Sequence, residues 1–258
     1  MTEKTKPSLV LVFFGQVGEV GLLAWNTFRS IFRSPWEKQN FIKQLEEIGV
    51  RSLPVVALTA AFGGLVFGLQ TYSGFHQYIG HGSEAYGGAI ITLGLAEELI
   101  PLLVGLMISG RVGSSMAAEI GTMRITEQLD ALLCLGADHY SYLVLPRAMA
   151  CFVMLPFLTL YGDAIGIFGG FFYNVVLMGV NSVNYLRNSL MYFDFLDVLN
   201  GLVKSAIFGV VIAIVGCWQG LKAEGGAAGV GRATTRAVVI SSICILIMNF
   251  FLSKILPL

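Results

Sequence analysis

The stretch YGGAIITLGLAEELIPLLVGLMIS, residues 86–109, decides the architecture of this chain. A helix needs about 20 mainly apolar residues to cross a bilayer, because lipid offers no hydrogen bonds to an open backbone. This stretch meets the length, and its only charged residues are the adjacent Glu97 and Glu98. A charge at that depth costs on the order of 3 kcal/mol on insertion scales, so the pair is not decoration. Neighbouring side chains on a helix point about 100° apart, which directs at least one carboxyl towards protein or an aqueous cavity. A plainer reading is that Pro101 opens the helix and the pair satisfies freed backbone donors.

The rest of the chain has the same character. Of its 258 residues 55% are hydrophobic and only 12% charged, with a mean hydropathy of +0.75; soluble domains carry about twice that share of charge. Further apolar stretches at residues 53–72, 148–178, 201–219 and 237–256 predict five spans in all. The third is long enough to be one tilted, kinked helix or two segments, and contains Pro156 and Gly162. Charge arbitrates. With five spans and a cytoplasmic N-terminus, every lysine and arginine except Arg187, Lys204 and Lys254 falls on the inner side, as the positive-inside bias requires. Splitting the third stretch would move Lys222, Arg232 and Arg236 outside. The C-terminus is then expected on the periplasmic side. The expected organisation is a cytoplasmic segment with interfacial helices at 1–52 and a transmembrane domain at 53–258.

Lys4 and Lys6 ahead of the apolar run 9–14 imitate a signal peptide, but the run is short and no small-x-small cleavage site follows, so it is expected to be retained. Residues 36–50 mix Trp36, Phe41, Ile42, Leu45 and Ile48 with Glu37, Lys38, Lys43, Glu46 and Glu47, which suits a helix lying in the membrane interface or packed on a partner. Small residues recur four apart at Gly64 and Gly68, at Gly105 and Ser109, and at Gly162, Gly166 and Gly170, a signal for close helix packing. Asp163 is another intramembrane acid, for which Lys204 is the candidate partner.

Between the second and third spans, GTMRITEQLDALLCLG (121–136) predicts a break at Gly121–Thr122, then a short amphipathic helix with Leu129, Leu132 and Leu133 on one face and Arg124, Glu127, Gln128 and Asp130 on the others, stopped by Gly136. Such a helix suits membrane-surface packing or a lever that another protein grips. The energy source is missing. No Gly-Lys pair occurs, so there is no phosphate loop of the GxxxxGK[ST] type, and no GxSxG or HExxH grouping is present. His76 and His81 share an outer loop without a carboxylate arrangement, and Cys134, Cys151, Cys217 and Cys244 form no CxxC pair, so neither a metal site nor a disulfide framework is expected. No catalytic residue is assigned. Equal numbers of basic and acidic residues, 16 each, point to no nucleic-acid partner.

The residues 97–132 carry a resemblance. The spaced match Glu98-Leu99, Pro101, Gly110-Arg111, Ala118-Glu119-Ile120-Gly121, Met123, Thr126-Glu127-Gln128, with GVGRATTRAVV at 229–239, EIGVRSLP at 47–54 and GLQTY at 68–72, is similar to the MlaE-type permeases of ABC transporters that work with Mce-domain proteins in lipid traffic across the Gram-negative envelope. The resemblance implies a homodimer in the inner membrane, two separate ATPase subunits that bind the ATP and Mg, a periplasmic ring of Mce-domain subunits and often a STAS-domain protein. This chain would hold no cofactor of its own. A phospholipid cavity is implied near Gln70, Tyr72, Glu97, Glu98 and Leu99, and ATPase coupling through Glu119, Gly121, Met123, Arg124, Glu127, Gln128 and Asp130. Glu97 departs from the pattern, because an arginine is common there. From the residues alone, a proton-coupled secondary transporter that relays through Glu97, Glu98 and Asp163 competes, although such folds ordinarily show an internal repeat and none is seen. The first residues lack the character of a plastid transit peptide, which favours a bacterial membrane.

Overall fold

The computed structural model describes residues 9–30, 38–78, 86–136 and 140–256. Lys4, Lys6, Arg33, Trp36, Glu37 and His81 lie outside these. The described chain is all-helical: α1 (Leu9–Ser30), α2 (Lys38–Ile48), α3 (Leu53–Tyr78), α4 (Gly87–Ile125), α5 (Gln128–Cys134), α6 (Tyr140–Leu177), α7 (Ser182–Tyr192), α8 (Phe195–Leu221) and α9 (Gly226–Ile255). Five helices, α3, α4, α6, α8 and α9, are long and apolar enough to cross a membrane, which makes this a multi-pass membrane protein. The long third stretch is one helix through Pro156.

The spans interlock through small residues. α6 lies between α3 and α8, and α8 also meets α4 and α9. A Cβ on Gly64 of α3 would collide with the backbone of Gly166 in α6, so these helices touch main chain to main chain. Gly201 of α8 meets the Ala96 carbonyl of α4 in the same way. Those two contacts use glycines as a packing device, in line with the four-residue spacing in α3 and α6. The sealed core between them holds Ile91, Leu95, Ile100, Leu155, Leu158, Phe208 and Ile212. Outward, α3, α6 and α9 present Phe62, Val66, Phe157, Phe168, Ile247 and Phe250 as exposed apolar surface, as lipid-facing helices must.

One end of the bundle gathers the basic residues. α1 packs Leu23 and Val20 against Val144 of α6 and Trp218 of α8, while Phe14, Val17, Trp25 and Phe28 stay exposed, an arrangement suited to a helix lying along the membrane surface. α2 confirms the amphipathic helix expected within residues 36–50, with Ile48 fully buried. The connection after α4 differs from the sequence expectation. α4 continues through Gly121 and Thr122 to Ile125, and the break falls at Glu127, which adopts φ 60°. Gly121 is not a break because it is a contact: its α-carbon faces Ala223 and Val230 of the α8–α9 hairpin, where a larger residue would push the two apart. Gly136, at φ 75°, closes α5 as expected.

At the opposite end, the short α7 seats Tyr185 and Ser189 against Gly88 of α4, and the Tyr185 ring stands edge-on to Phe171 at 5.7 Å. Burial pushes the Tyr185 phenol up to about 12, and its hydroxyl has no hydrogen-bond partner among the described residues. An unpartnered buried hydroxyl contributes nothing that a ring edge would not. Tyr185→Phe should therefore leave stability unchanged or raise it by up to about 1 kcal/mol, read as the unfolding midpoint in detergent; a clear loss would show that the hydroxyl is bonded.

Candidate functional site

Two wide turns interrupt α4, and both carry polar side chains into the bundle. The first, Leu95–Leu99, has π geometry and holds Glu97 and Glu98; the second, Ser109–Gly113, holds Ser109 and Arg111. Such turns insert an extra residue into a helix and often re-aim side chains at functional positions. The cause of the first is legible in Pro101, which has no N–H to give the Glu97 carbonyl four residues back and whose ring crowds it.

The orphaned carbonyl is taken by a lysine. Lys204 Nζ of α8 donates to the Glu97 carbonyl oxygen at 3.0 Å, to Glu98 Oε1 at 2.6 Å and to Ser253 Oγ of α9 at 2.9 Å. An ammonium has three protons, and here all three are engaged. Glu98 Oε2 accepts from Asn249 Nδ2 of α9 at 3.0 Å, and Ser253 Oγ donates to the Asn249 carbonyl at 2.8 Å. Lys204 is only 3% exposed whereas the Glu98 side chain is 40% exposed, so the pair has a sealed cationic end and an open anionic one. Glu98 thus stands at the mouth of a charge-neutral cluster formed by α4, α8 and α9, in which the Asn249 Oδ1 is left without a partner among the described residues.

This corrects the partner expected for Asp163. Lys204 belongs to Glu98, and Asp163, 5% exposed in α6, has neither carboxyl oxygen bonded among the described residues. The reason is the helix order: the Pro101 turn brings Glu98 and a free carbonyl to Lys204 together, a better site for an ammonium than a lone carboxyl. Glu97 faces another way, towards Asp197 at the start of α8. Leu99 packs against the core. Gln70 and Tyr72 do not join the cluster within one chain. They sit on α3, whose neighbours are α6 and the first part of α4; Gln70 is exposed and Tyr72 stacks on His76 at 5.8 Å.

Asn249 and Ser253 were not singled out in the sequence. The signal exists: Ser242, Asn249 and Ser253 lie seven and eleven residues along one face of an otherwise apolar helix. The same face makes a second polar layer, where Ser109 and Ser241 share a hydrogen bond of 2.6 Å.

The residues expected to couple to an ATPase separate into two groups. Arg124, Glu127, Gln128 and Asp130 are exposed at the α4–α5 tip, with Arg124 Nη1 and Asp130 Oδ1 3.3 Å apart. Met123 is partly buried against α1 and α8. Glu119 and Gly121 instead fasten that tip to the bundle. Arg147, two turns into α6, donates to Glu119 Oε2 at 2.7 Å, and Arg111 reaches Ser52 Oγ at 2.5 Å, tying α4 to α6 and to the turn just before α3. The result is a tip that is exposed outward and clamped inward. No cluster of metal-ligating side chains occurs among the described residues.

Comparison with known proteins bears on this geometry. The family model described as Permease MlaE matches residues 41–255. A probable ABC transporter permease protein of Rickettsia bellii is 46% identical over 239 residues, covering 93% of this chain and 91% of that protein. One from Synechocystis sp. is 40% identical over 253 residues, 98% and 95% of the two chains. The chloroplastic protein TRIGALACTOSYLDIACYLGLYCEROL 1 of Arabidopsis thaliana is 35% identical over 236 residues, 91% of this chain and 66% of that protein.

Proposed function

Since the chain belongs to the MlaE permease family and is therefore the permease of an ABC transporter, whose ATP hydrolysis falls to a partner ATPase, we propose that its cargo is phospholipid moved between the inner and outer membranes of a Gram-negative envelope. Two copies form the transport unit, with a lipid-sized space between them near Gln70, Tyr72, Glu97, Glu98 and Leu99. The observation that carries this reading is the Glu98–Lys204 cluster, an ion pair held inside the membrane with its anionic end open. A pair of that kind lets a polar headgroup be met by a fixed carboxylate without leaving an uncompensated charge in the bundle when the headgroup departs. The name of the plant relative, which is that of a glycerolipid, supports a lipid cargo.

Movement comes from the partner. ATP binding draws the ATPase dimer together, displaces the exposed tip at Arg124–Asp130 and, through the Glu119–Arg147 and Arg111–Ser52 ties, changes the packing of α4 against its neighbours. Lipid and nucleotide then act on one equilibrium because each prefers a different arrangement of α4. An Mce-domain ring on the periplasmic side would receive or deliver the lipid, and a STAS-domain protein would sit on the ATPase. This assignment places the basic end, with α1 and α2, in the cytoplasm and the α7 end in the periplasm, in the orientation that the positive-inside bias favours. The chain holds no cofactor; ATP and Mg belong to the ATPase.

The experiment is transfer of labelled phospholipid from proteoliposomes that contain the chain with its ATPase. Transfer that requires ATP hydrolysis is the expected result. Transfer without ATP that follows an imposed proton gradient would instead make the membrane carboxylates a proton relay and overturn the proposal.

A further inference from the structure

A second cavity lies at the basic end, away from Glu98. It has a volume of about 810 Å³ and opens between α1 and the α8–α9 hairpin. Lys222, Arg232 and Arg236 line it, together with Gln219, Trp218 and Ile240. Three cations face two carboxylates here. Lys222 is ion-paired with Glu19 of α1 and its ammonium sits 4.7 Å above the Trp218 ring, while Glu224 lies on the rim. Its neighbour Arg232 reaches only the Glu224 carbonyl, at 3.5 Å. Arg236 has no partner among the described residues. Three positive against two negative charges leave one unit of positive charge unmatched, with Arg236 as its carrier.

The cavity is also amphipathic in a definite order. Its charged part sits at the bundle end, next to α1, whose exposed Phe14 and Val17 mark the level of the membrane surface. On the other side Ile240 forms an apolar wall, and from there Val239, Ile243, Leu246 and Ile247 continue as exposed surface along α9 towards the bilayer interior. These side chains are each about half exposed, so that track is open sideways to lipid. A free phosphate would need the charges alone. A molecule with one negative charge at the surface and acyl chains below it uses both parts.

We propose that this cavity binds the headgroup of an anionic phospholipid resident in the leaflet at the α1 end, a site separate from the cargo path at Glu98. Basic pockets between helices at that depth are suited to acidic headgroups, since each arginine near the surface strengthens the attraction about fivefold. The lipid pins α1 to the α8–α9 hairpin.

Trp218, in the wall of the cavity, supplies the readout. In a Trp25→Phe, Trp36→Phe background it is the sole tryptophan, because the chain has three. The full-length chain in nanodiscs of phosphatidylcholine is titrated with acyl-dibrominated phosphatidylglycerol or with dibrominated phosphatidylcholine. Half-quenching of Trp218 is expected at a mole fraction roughly fivefold lower for the anionic lipid. That preference should vanish in R232Q/R236Q, persist in R232K/R236K, and persist in E98Q, whose failure in transport tests the cargo reading alone. Equal quenching by both lipids, or a preference that survives R232Q/R236Q, overturns the site. So does loss of the preference in inorganic phosphate but not in chloride of equal ionic strength, which would assign the cavity to a free anion. Loss of the preference in E98Q would mean that the quencher is cargo, and no quenching by either lipid would mean that a second copy covers the pocket; both outcomes overturn the proposal.

Discussion

Glu98→Leu should destabilise the chain more than Lys204→Met, although the two residues form one ion pair. Removing Glu98 leaves an ammonium that is 3% exposed with only a carbonyl and a hydroxyl to face, and stranding a buried charge costs about 3 kcal/mol or more. Removing Lys204 strands a carboxylate that is 40% exposed, still bonded to Asn249, and able to take water or a proton. That loss should be roughly 1–2 kcal/mol, mostly the orphaned Glu97 carbonyl. The double variant Glu98→Leu with Lys204→Met removes both charges together and should recover much of the stability lost by Glu98→Leu. Unfolding midpoints of the purified variants in one detergent rank the three. Equal losses in the two single variants would show that the pair is solvated from both sides. Lipid transfer is expected to be lost in all three, since recovered packing does not restore the open carboxylate.

Reversing the charges at the tip should separate hydrolysis from transport. In the variant Arg124→Glu with Glu127→Lys, the new glutamate faces Asp130 across the 3.3 Å contact that now holds an ion pair. Both side chains are exposed, so the pair contributes less than about 1 kcal/mol and the fold should survive. In the proposed coupling the two charges that would meet the ATPase trade places with their sum unchanged, and mismatched charge at an interface reduces both the rate and the fidelity of docking. Lipid transfer should fall by at least about tenfold per ATP hydrolysed, corresponding to a coupling loss in the ordinary 1–3 kcal/mol range, while the proposed dimer remains assembled. Unchanged transfer per ATP would remove the tip from the coupling path and leave Glu119 and Gly121 as structural fastenings only.

The comparison between these two places shows what a sequence carries. The apolar runs, the bias of lysine and arginine to one end, the interfacial α2 and the stop at Gly136 are local properties, each decided by a few neighbouring residues and the demand that lipid makes on a backbone. The depth of Glu98 was legible for the same reason. Its partner was not, because Lys204 is 106 positions away and Asp163 was an equally plausible acid by composition. Likewise Gly121 next to Thr122 has the form of a helix break, yet packing against Ala223 and Val230 keeps the helix going and moves the break to Glu127.

What the sequence by itself determined was the solvent of this protein, the number of its crossings, the exposed charges of its tip and the absence of a nucleotide-binding loop. What only the tertiary structure decided was which buried charge meets which. The Pro101 turn frees one carbonyl, α8 brings one ammonium to it, and α9 closes the cluster with Asn249 and Ser253. Three helices must be in place before the cluster exists, and no local pattern on any one of them specifies the other two.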